Sequence, residues 1–329
     1  MSNFGIPSLA PELEATIATS LSEVESILNS RIQGKYLFAN ETSRHLIVAG
    51  GKRFRPLITI LGSLVGDGPN DKVIKAAAVC ELTHLATLYH DDVMDEAPLR
   101  RGVESANSRW GNSVAILTGD YLFAKMSQIL AELGPEAVKL QADTFERLVI
   151  GQILETQGPS AGSDPLEHYL QVVADKTGSL IAASLRFGAM FAGCTREEIE
   201  TLTIFGEKIG VAFQLADDVI DIASDSHESG KTPGTDLREG IPTLVTLNAL
   251  KSDDPKDASL KLALSGPIKS EEKVQWVINE LRNHKALTDS RLQLQLIAKE
   301  ARAALGPLPI SDASTALYSL CDLIIDRVS

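Results

Sequence analysis

The sequence predicts an all-α protein. Aromatic residues make up only 5% of the chain, and alanine and leucine are abundant, a composition that favours helices over sheets. Apolar side chains recur at helical spacing near the start of the chain, at Leu13, Ile17, Leu21, Val24 and Leu28, which is typical of an amphipathic helix. No segment alternates between apolar and polar residues for long enough to predict a sheet.

Breaks between the predicted helices fall at glycines, prolines and short polar stretches. The predicted helices cover residues 9–30, 36–49, 54–66, 71–95, 111–131 and 136–157, a segment that begins at Asp164-Pro165, residues 195–224, and several segments within 241–328. Residues 1–8 are expected to be disordered, and residues 225–240 are predicted to form a polar loop. His284 and the charges around it are interpreted as a solvated face.

Length, charge and cysteine content exclude several classes of function. With 329 residues, 44% of them hydrophobic, the chain can bury a large core. Its formal net charge of −13 argues against nucleic acid or an anionic membrane surface as a partner. Cys80, Cys194 and Cys321 lie far apart, which fits buried thiols in a reducing compartment rather than a metal site.

No segment indicates secretion or a membrane span. The N-terminal segment has neither the basic region nor the apolar run of a signal peptide. The longest apolar segment, around residues 180–193, contains Arg186 and is too short to cross a bilayer. The expected location is therefore the cytoplasm.

One predicted helix ends in a cluster of acids and is followed by Arg100 and Arg101. At about 100° per residue, Asp91, Asp95 and His84 lie on one face of this helix. Carboxylates at this spacing can hold Mg²⁺, which takes one or two carboxylates and leaves its other positions to water and phosphate oxygens. The stretch therefore predicts a diphosphate that is bridged by metal and clamped by arginine. The alternative is a solvated helix end with charges four residues apart.

A second acid cluster repeats the spacing of the first. Residues 213–222 read FQLADDVIDI, in which Asp217, Asp218 and Asp221 form the same DDxxD pattern and Gln214 lies on the face of the last two. One DDxxD is expected by chance roughly 0.07 times in a chain of this length, so two copies that each close an apolar helix indicate a shared role. Two facing acid clusters can hold several Mg²⁺ ions around one diphosphate.

A group of cations precedes the first acid cluster. The segment GGKRFRP at 50–56 places Lys52, Arg53 and Arg55 directly after two glycines. Arginine can bind phosphate oxygens through two parallel N–H donors, so this turn suits an anionic ligand. The alternative is an ordinary basic turn at the surface.

With these motifs the sequence resembles the trans-isoprenyl diphosphate synthases of the polyprenyl synthetase family, of the geranylgeranyl or medium- to long-chain type. The matching segments, in the order of the family, are GGKRFRP at 50–56, HDDVMDEAPLRRG at 90–102, DKTGSL at 175–180, FQLADDVID at 213–221 and GKTPGTDLREG at 230–240. The resemblance implies one polyprenyl synthetase domain over residues 1–329, folded as a single large helical bundle with a central active-site cavity, the isoprenoid synthase type I fold. It also implies a homodimer.

The resemblance implies a Mg²⁺-dependent enzyme that condenses isopentenyl diphosphate with an allylic diphosphate. Three Mg²⁺ ions would be held by the motif aspartates, Asp91, Asp92, Asp95, Asp217, Asp218 and Asp221. The allylic diphosphate ionises, the double bond of isopentenyl diphosphate attacks, and a proton is lost to the departing diphosphate. No protein nucleophile is needed, which agrees with the lack of a triad-like arrangement in the sequence.

The same resemblance assigns residues to the two substrates. Isopentenyl diphosphate is bound by Lys52, Arg55, His84 and Arg101. The allylic diphosphate is bound by Arg100, Lys176, Thr177 and Lys231, and Gln214 beside the second acid cluster is a further substrate-binding candidate. The residues implied for catalysis are Asp91, Asp95, Asp217, Lys176 and Arg100.

Two positions depart from the pattern of the family. Thr235 stands where many members have a second lysine, so one cation is missing from the loop that would cover the diphosphate. In the segment GQILE, Gln152 and Glu155 have the order of the shorter-chain members, which leaves a metal-proximal role for Glu155 open. The family also has a helix kink near the DKTGSL segment, for which Gly178 is a candidate hinge.

Product length depends, in the family, on the residues four and five positions before the first aspartate, because bulky side chains there close the elongation tunnel. Here these residues are Thr87 and Ala86, both small, which predicts a geranylgeranyl or longer product. An Ala86→Phe substitution is therefore expected to shorten the product. Helix 111–131 resembles the wall helix beside the tunnel, and Phe123 on it is a bulky candidate for the limit of growth.

Two alternatives come from other functional classes. A class I terpene cyclase uses a similar aspartate-rich helix, but its second metal motif typically mixes Asn, Ser and Glu, and it does not need the basic segment 50–56. A non-catalytic regulatory subunit of a heteromeric prenyl synthase would keep the helical fold, but such subunits usually lose one acid cluster. Both clusters are intact in this sequence.

Overall fold

The computed structural model describes Ile6, residues 9–223 and residues 233–327. The α-helices of these residues are α1 (Pro11–Ile32), α2 (Leu37–Val48), α3 (Phe54–Ser63), α4 (Asp71–Met94), α5 (Ala106–Trp110), α6 (Asn112–Leu133), α7 (Pro135–Gln157), α8 (Pro165–Val173), α9 (Ser179–Phe191), α10 (Arg196–Ala223), α11 (Thr235–Glu239), α12 (Leu244–Leu250), α13 (Ala258–Ala263), α14 (Glu271–Asn283), α15 (Lys285–Ala304) and α16 (Asp312–Asp326). Two short strands, β1 (Leu99–Arg100) and β2 (Val103–Glu104), form an antiparallel hairpin. A π-helical turn (Ala174–Gly178) joins α8 to α9, and a 3-10 turn (Pro255–Asp257) precedes α13.

The predicted all-α class is confirmed, because the structure is 78% helical. The predicted helices 71–95 and 195–224 correspond to α4 and α10 to within one residue at each end. In the described part of the chain, no helix has the length and apolarity to cross a membrane.

Helices α4 and α10 carry the two acid clusters at their C-terminal ends. Helix α4 is buried around most of its circumference and packs against α3, α6 and α9, as is typical of a helix that is apolar on every side. Helix α10 packs against α9 and α15, and its Phe205, Ile209 and Leu215 are buried. Truncation of such a side chain to alanine typically costs ~2–5 kcal/mol of folding stability. The acid clusters are therefore carried by two helices that are firmly packed in the core.

Polar side chains cap several of these helices. Asn70 accepts hydrogen bonds from two backbone N–H groups at the start of α4, and Asp164 accepts one at the start of α8, which satisfies donors that have no partner inside the helix. His284 caps α15 in the same way. Its Nε2 lies 2.9 Å from an oxygen of Asp257 and its side chain is only 16% exposed, so the interpretation of His284 as a solvated residue is wrong.

The hairpin lies where the sequence predicts no strand. Its two turn residues, Arg101 and Gly102, have positive φ angles of 54° and 77°, and two such residues match the twist of a tight antiparallel hairpin. Strands of two residues are too short for an alternating pattern to appear in the sequence. The hairpin turns the chain back just after the first acid cluster.

The segment predicted as a polar loop, 225–240, contains the short helix α11. Lys231 lies outside the described residues, as does the rest of 224–232. At the N-terminus, the expectation of disorder for residues 1–8 does not hold at Ile6, whose side chain is buried in the core. Residues 1–5, 7 and 8 lie outside the described residues.

The expected kink in the DKTGSL segment is a π-helical turn and not a hinge at glycine. Gly178 has φ −58° and ψ −44°, which are ordinary helical values for any residue. Its lack of a side chain matters for packing instead. A Cβ on Gly178 would lie 3.2 Å from the carbonyl oxygen of Glu207, and one on Gly210 would lie 2.8 Å from the Cα of Gly178. The π-helical turn and α10 are therefore in close backbone contact.

Candidate active site

A cavity of about 810 Å³ lies beside the end of α4. His84, Thr87 and Asp91 line it from α4, and Lys176 and Thr177 line it from the π-helical turn. The apolar part of the lining consists of Val93, Met94, Ile116, Phe145, Leu148, Val149, Ile153 and Leu180. A mainly apolar cavity with a few charged groups suits a ligand that has an apolar tail and a charged head.

The first acid cluster is divided between this cavity and the protein interior. Asp91 lines the cavity, and Asp95 is exposed one turn later. Asp92 is fully buried, since it is rotated by about 100° from its neighbour on the helix. Its Oδ1 accepts a hydrogen bond from Nε of Arg100 at 2.5 Å. This ion pair holds Arg100 beside the cluster.

The environment of Asp91 opposes its ionisation. Burial raises the pKa of Asp91 to about 6, while Lys176 and Arg100 lower it and Asp95 and Glu155 raise it. A carboxyl group with a raised pKa lacks sufficient counter-charge in its ionised form. A bound cation would supply that charge.

In the second acid cluster, Asp218 is buried and fully engaged. It accepts hydrogen bonds from the hydroxyl of Tyr169, from Nε2 of Gln214 at 3.2 Å and from the backbone N–H of Leu244 at 3.4 Å. Burial nevertheless raises the pKa of Asp218 to about 6. As in the first cluster, one aspartate is held inside the protein.

The other two aspartates of this cluster contact distant parts of the chain. An oxygen of Asp217 lies 2.9 Å from Nη2 of Arg327, whose guanidinium is also 5.2 Å from the ring centroid of Phe213. An oxygen of Asp221 accepts a hydrogen bond from the backbone N–H of Thr235 at 3.4 Å. Thr235, which stands where a lysine is often found, thus contributes a backbone dipole at this place and no positive charge.

Glu239 of α11 lies within electrostatic range of both acid clusters. Burial raises its pKa, and the charges of Asp95 in the first cluster and Asp221 in the second raise it as well. Arg100 opposes this effect. Lys176 and Gln214 line the cavities that border Asp91 and Asp218, so the two clusters face one site.

Lys176 and Thr177 lie between the clusters. Nζ of Lys176 forms an ion pair with Glu155 of α7, and Oγ1 of Thr177 donates to Oε1 of Gln214 at 3.4 Å. Glu155, for which the sequence leaves a metal-proximal role open, is thus the counter-charge of Lys176 in this structure. A second cavity of about 260 Å³ continues from these residues to Asp218.

The basic segment 50–56 lines a separate pocket of about 250 Å³. Lys52, Arg55, His84 and Arg101 all line it, so the structure brings together the residues that the resemblance assigns to isopentenyl diphosphate. Nε of Arg55 is buried and has no hydrogen-bond partner among the described residues. A small pocket with several cations and an unused donor is suited to an anion.

Burial and neighbouring charges set the protonation and the net charge of this pocket. Burial lowers the pKa of His84 well below its usual value, and Arg55 and Arg101 lower it further, so the imidazole is neutral near pH 7 and can donate one hydrogen bond. Arg53 forms an ion pair with Glu81 at 3.0 Å, which offsets part of the positive charge.

The acid clusters fit Mg²⁺ ions that are shared with a phosphate ligand. Among the described residues, no three side chains of the types His, Cys, Asp and Glu form a ready-made metal site. Mg²⁺ does not require one, because it usually binds through one or two carboxylates and takes its remaining ligands from water and substrate phosphates. The six aspartates of the two motifs offer only oxygen donors, which suit this ion.

The three residues considered for product length differ in their positions. Thr87 lines the 810 Å³ cavity. Ala86 is fully buried and packs against α6 in the core, away from the cavity lining. Phe123 stands behind the wall, with its ring centroid 4.6 Å from that of Phe145, which lines the cavity.

Three residues at the site are not predicted from the sequence. Tyr169 and Arg327 contact Asp218 and Asp217 and belong to no motif, and Arg327 is 110 positions from its partner. Glu239, whose pKa is raised by charges of both clusters, lies in the matched segment 230–240, but the family resemblance assigns it no role. Only the packing of distant segments brings them here.

A family model described as polyprenyl synthetase matches residues 38–281. Nonaprenyl diphosphate synthase of Mycobacterium tuberculosis is 46% identical over 314 residues, which are 95% of this chain and 94% of that protein. The similarity therefore extends over nearly the whole length of both proteins.

Solved structures of related proteins agree with this fold. The crystal structure of geranylgeranyl pyrophosphate synthase from Corynebacterium glutamicum, complexed with calcium and isoprenyl diphosphate, is 44% identical with a TM-score of 0.89, and the match covers 98% of this chain and 99% of that one. A decaprenyl diphosphate synthase from Rhodobacter capsulatus is 29% identical with a TM-score of 0.88, over 97% of this chain and 99% of that one. The products named for these relatives differ widely in length.

Proposed function

The chain belongs to the polyprenyl synthetase family, and from this membership we propose that it condenses isopentenyl diphosphate with an allylic diphosphate in a Mg²⁺-dependent reaction. It is a trans-prenyltransferase. The proposed product is an all-trans geranylgeranyl or longer polyprenyl diphosphate. We further propose that residues 1–329 act as one domain.

The observation that carries the proposal is that the apolar cavity and the basic pocket share part of their walls. Arg55, His84, Thr177 and Gln214 line both of them. Two anionic heads can therefore bind side by side, one beside the acid clusters and one in the basic pocket. A condensation between two diphosphate esters needs this arrangement, because it holds the reacting carbon atoms close together.

We assign the residues accordingly. Of the six motif aspartates, Asp91, Asp95, Asp217 and Asp221 are the ones placed to hold Mg²⁺. Asp92 and Asp218 are buried against Arg100 and Tyr169 and support the two clusters from inside. A divalent ion is also supported by the calcium of the similar Corynebacterium structure. Isopentenyl diphosphate is bound by Lys52, Arg55, His84 and Arg101. The allylic diphosphate is bound by Arg100, Lys176, Thr177, Gln214 and Lys231.

The chemistry proceeds without a protein nucleophile. When bound, Mg²⁺ neutralises charge on the diphosphate as the allylic C–O bond breaks. Arg100 and Lys176 add positive charge at the same leaving group. The electron pair of the isopentenyl double bond forms the new C–C bond, and the departing diphosphate accepts the proton that is lost. The apolar cavity wall excludes water, which would otherwise capture the allylic cation.

Product analysis tests this function directly. The purified chain is incubated with Mg²⁺, labelled isopentenyl diphosphate and, in separate reactions, geranyl, farnesyl and geranylgeranyl diphosphate, and the dephosphorylated products are sized. We expect elongation to geranylgeranyl or beyond, and none when EDTA is present. No elongation from any primer would overturn the function and favour a non-catalytic subunit.

We also propose that the chain forms a homodimer through α6 and α7. Outside the cavity lining, these adjacent helices expose large apolar side chains at Leu117, Val138 and Ile150, a feature of association surfaces. Sedimentation equilibrium should give the mass of a dimer for the wild type and a lower mass for Leu117→Glu. A monomeric wild type at micromolar concentration would contradict the proposal.

The proposed location is the cytoplasm. Cys80, Cys194 and Cys321 are free thiols in the described structure, and free thiols suit a reducing compartment.

A further inference from the structure

Lys176 and Thr177 lie on a π-helical turn, a rare backbone conformation that other parts of the protein must stabilise. Turns of this kind are rare, and they occur mostly as single turns within α-helices at functional sites. Here the turn spans Ala174–Gly178 and lies between α8 and α9 in one continuous helical segment. Because the wider turn changes the direction of the side chains on it, whatever holds the turn also decides where Lys176 and Thr177 point.

One arginine ties this turn to two long helices. Nε of Arg147, on α7, donates to an oxygen of Asp175 at 3.0 Å. Nη1 and Nη2 of the same side chain donate to the two oxygens of Glu207 on α10, the second at 3.1 Å. A two-pronged contact of this kind fixes direction as well as distance. The guanidinium thus joins α7, the turn and α10 at one point.

Asp175 depends on this contact for its charge balance. It is only 6% exposed, and its second oxygen accepts a hydrogen bond from Gln171 at 2.6 Å. Arg147 forms the one ion pair of Asp175 among the described residues. Loss of the arginine would leave a buried carboxylate with only a neutral partner, and such a group tends to move toward water.

The packing of α7 against the turn also indicates that α7 holds the turn in place. Residues 147, 151 and 155 follow one another at intervals of one helical turn on α7. A Cβ on Gly151 would lie 2.9 Å from the backbone nitrogen of Lys176 and 3.0 Å from Cβ of Asp175. Glu155 pairs with Nζ of Lys176. One face of α7 therefore contacts the turn at three positions. Arg147 forms an ion pair with Asp175, Gly151 packs against the backbone of the turn, and Glu155 forms an ion pair with Lys176.

Arg147 does not itself reach the substrate site. It lines neither the 810 Å³ cavity nor the 260 Å³ cavity that Lys176 borders, and its side chain is 40% exposed on the outer side of the turn. Any effect of Arg147 on the reaction therefore passes through the segments that it contacts, the turn and α10.

We propose that Arg147 is a positioning residue, which holds the π-helical turn through Asp175 and Glu207 so that Lys176 and Thr177 meet the diphosphate of the allylic substrate. This inference rests on the proposed function, since it concerns one of the two substrates of that reaction. It predicts an effect on the allylic substrate that is larger than any effect on isopentenyl diphosphate.

The first test compares the two substrates in Arg147→Met, which keeps a long side chain and removes the donors. The KM for the allylic diphosphate should rise by about 10-fold or more and kcat should fall, whereas the KM for isopentenyl diphosphate should change less than about threefold. Arg147→Lys, which keeps the charge without the fork, should recover part of the loss. Glu207→Gln should change the same constants in the same direction, and it tests the inference if Arg147→Met does not fold.

The matched control is Arg31→Met. Arg31 makes the same two-pronged contact with Glu132, at 2.6 and 2.9 Å, between α1 and α6 and away from the site. Neither KM should change in this variant. Equal losses for both substrates in Arg147→Met, or unchanged constants, would overturn the inference.

A second measurement does not depend on turnover. Hydrogen exchange of the backbone amides at 174–178 should be about 10-fold faster or more in Arg147→Met than in the wild type, and unchanged in Arg31→Met. Unchanged exchange at 174–178 would overturn the inference even if activity falls. A wild type that elongates no primer would overturn the proposed function, while the exchange experiment would still decide whether Arg147 holds the turn.

Discussion

Asp91→Ala is expected to abolish prenyl transfer, with kcat/KM lower by about 10³-fold or more. Asp91 lines the cavity and burial raises its pKa to about 6, so it is well placed to hold a cation there. Loss of a metal contact removes several kcal/mol of stabilisation from the charge that develops on the leaving diphosphate, and each ~1.4 kcal/mol is a factor of ten in rate. Asp217→Ala should have an effect of the same kind. Steady-state kinetics at saturating Mg²⁺ measures both.

The fold should survive these substitutions, and the pKa of Asp91 gives the sign of the stability effect. Its value of about 6 in the folded protein lies above the usual 3.8, so between about pH 4 and pH 6 the folded state binds more protons than the unfolded chain. The contribution of Asp91 to stability therefore falls as pH rises through that window. Above about pH 6 the carboxyl group is ionised in the folded protein, and the full loss of stability is reached. In the metal-free protein at pH 7, the cost of the ionised Asp91 to the free energy of unfolding is no more than about 3 kcal/mol.

Asp91→Asn removes this penalty and should raise the melting temperature of the protein in EDTA at pH 7, with little change at pH 4. Asp143→Asn is a matched control, because Asp143 is exposed on α7 and, within the described part of the chain, its ion pair is with Lys139, four residues before it. Turnover near that of the wild type in Asp91→Ala or Asp217→Ala would show that the assignment of the metal site is wrong.

Thr87→Phe is expected to shorten the product, with most of the chain growth ending at farnesyl diphosphate or before. Thr87 lies one helical turn before Asp91 on the same face of α4 and lines the 810 Å³ cavity. A phenyl ring at this position would fill the space that the growing apolar chain needs, while the diphosphate groups would still bind. Sizing of the dephosphorylated products measures the effect, and the first condensation should remain rapid.

Ala86→Phe provides the matched control on the neighbouring residue. The family pattern suggests that this substitution also shortens the product, but Ala86 is fully buried against α6. A larger side chain there should overpack the core at a cost of about 1–3 kcal/mol and lower the melting temperature. If Ala86→Phe shortens the product more than Thr87→Phe does, the 810 Å³ cavity is not the elongation path.

Local sequence determines a large part of this protein. The apolar runs of α4 and α10 and their polar ends predict both helices, and helical spacing alone places His84, Asp91 and Asp95 on one face. The repeated acid motif and the segment 50–56 indicate a site for anions and metal ions. These features need only residues a few positions apart, because periodicity and capping are local properties of the chain.

Tertiary structure alone decides how those parts meet. It buries Asp92 in an ion pair with Arg100. It also places Thr87 in the lining of the cavity, whereas Ala86 lies in the core. It also brings Arg327 to Asp217 and Arg147 to Glu207, across 110 and 60 positions. Such contacts depend on how whole helices pack, and no local pattern encodes them. The π-helical turn that presents Lys176 belongs to this second group, because α7 and α10 pack against it and Arg147 of α7 donates to its Asp175.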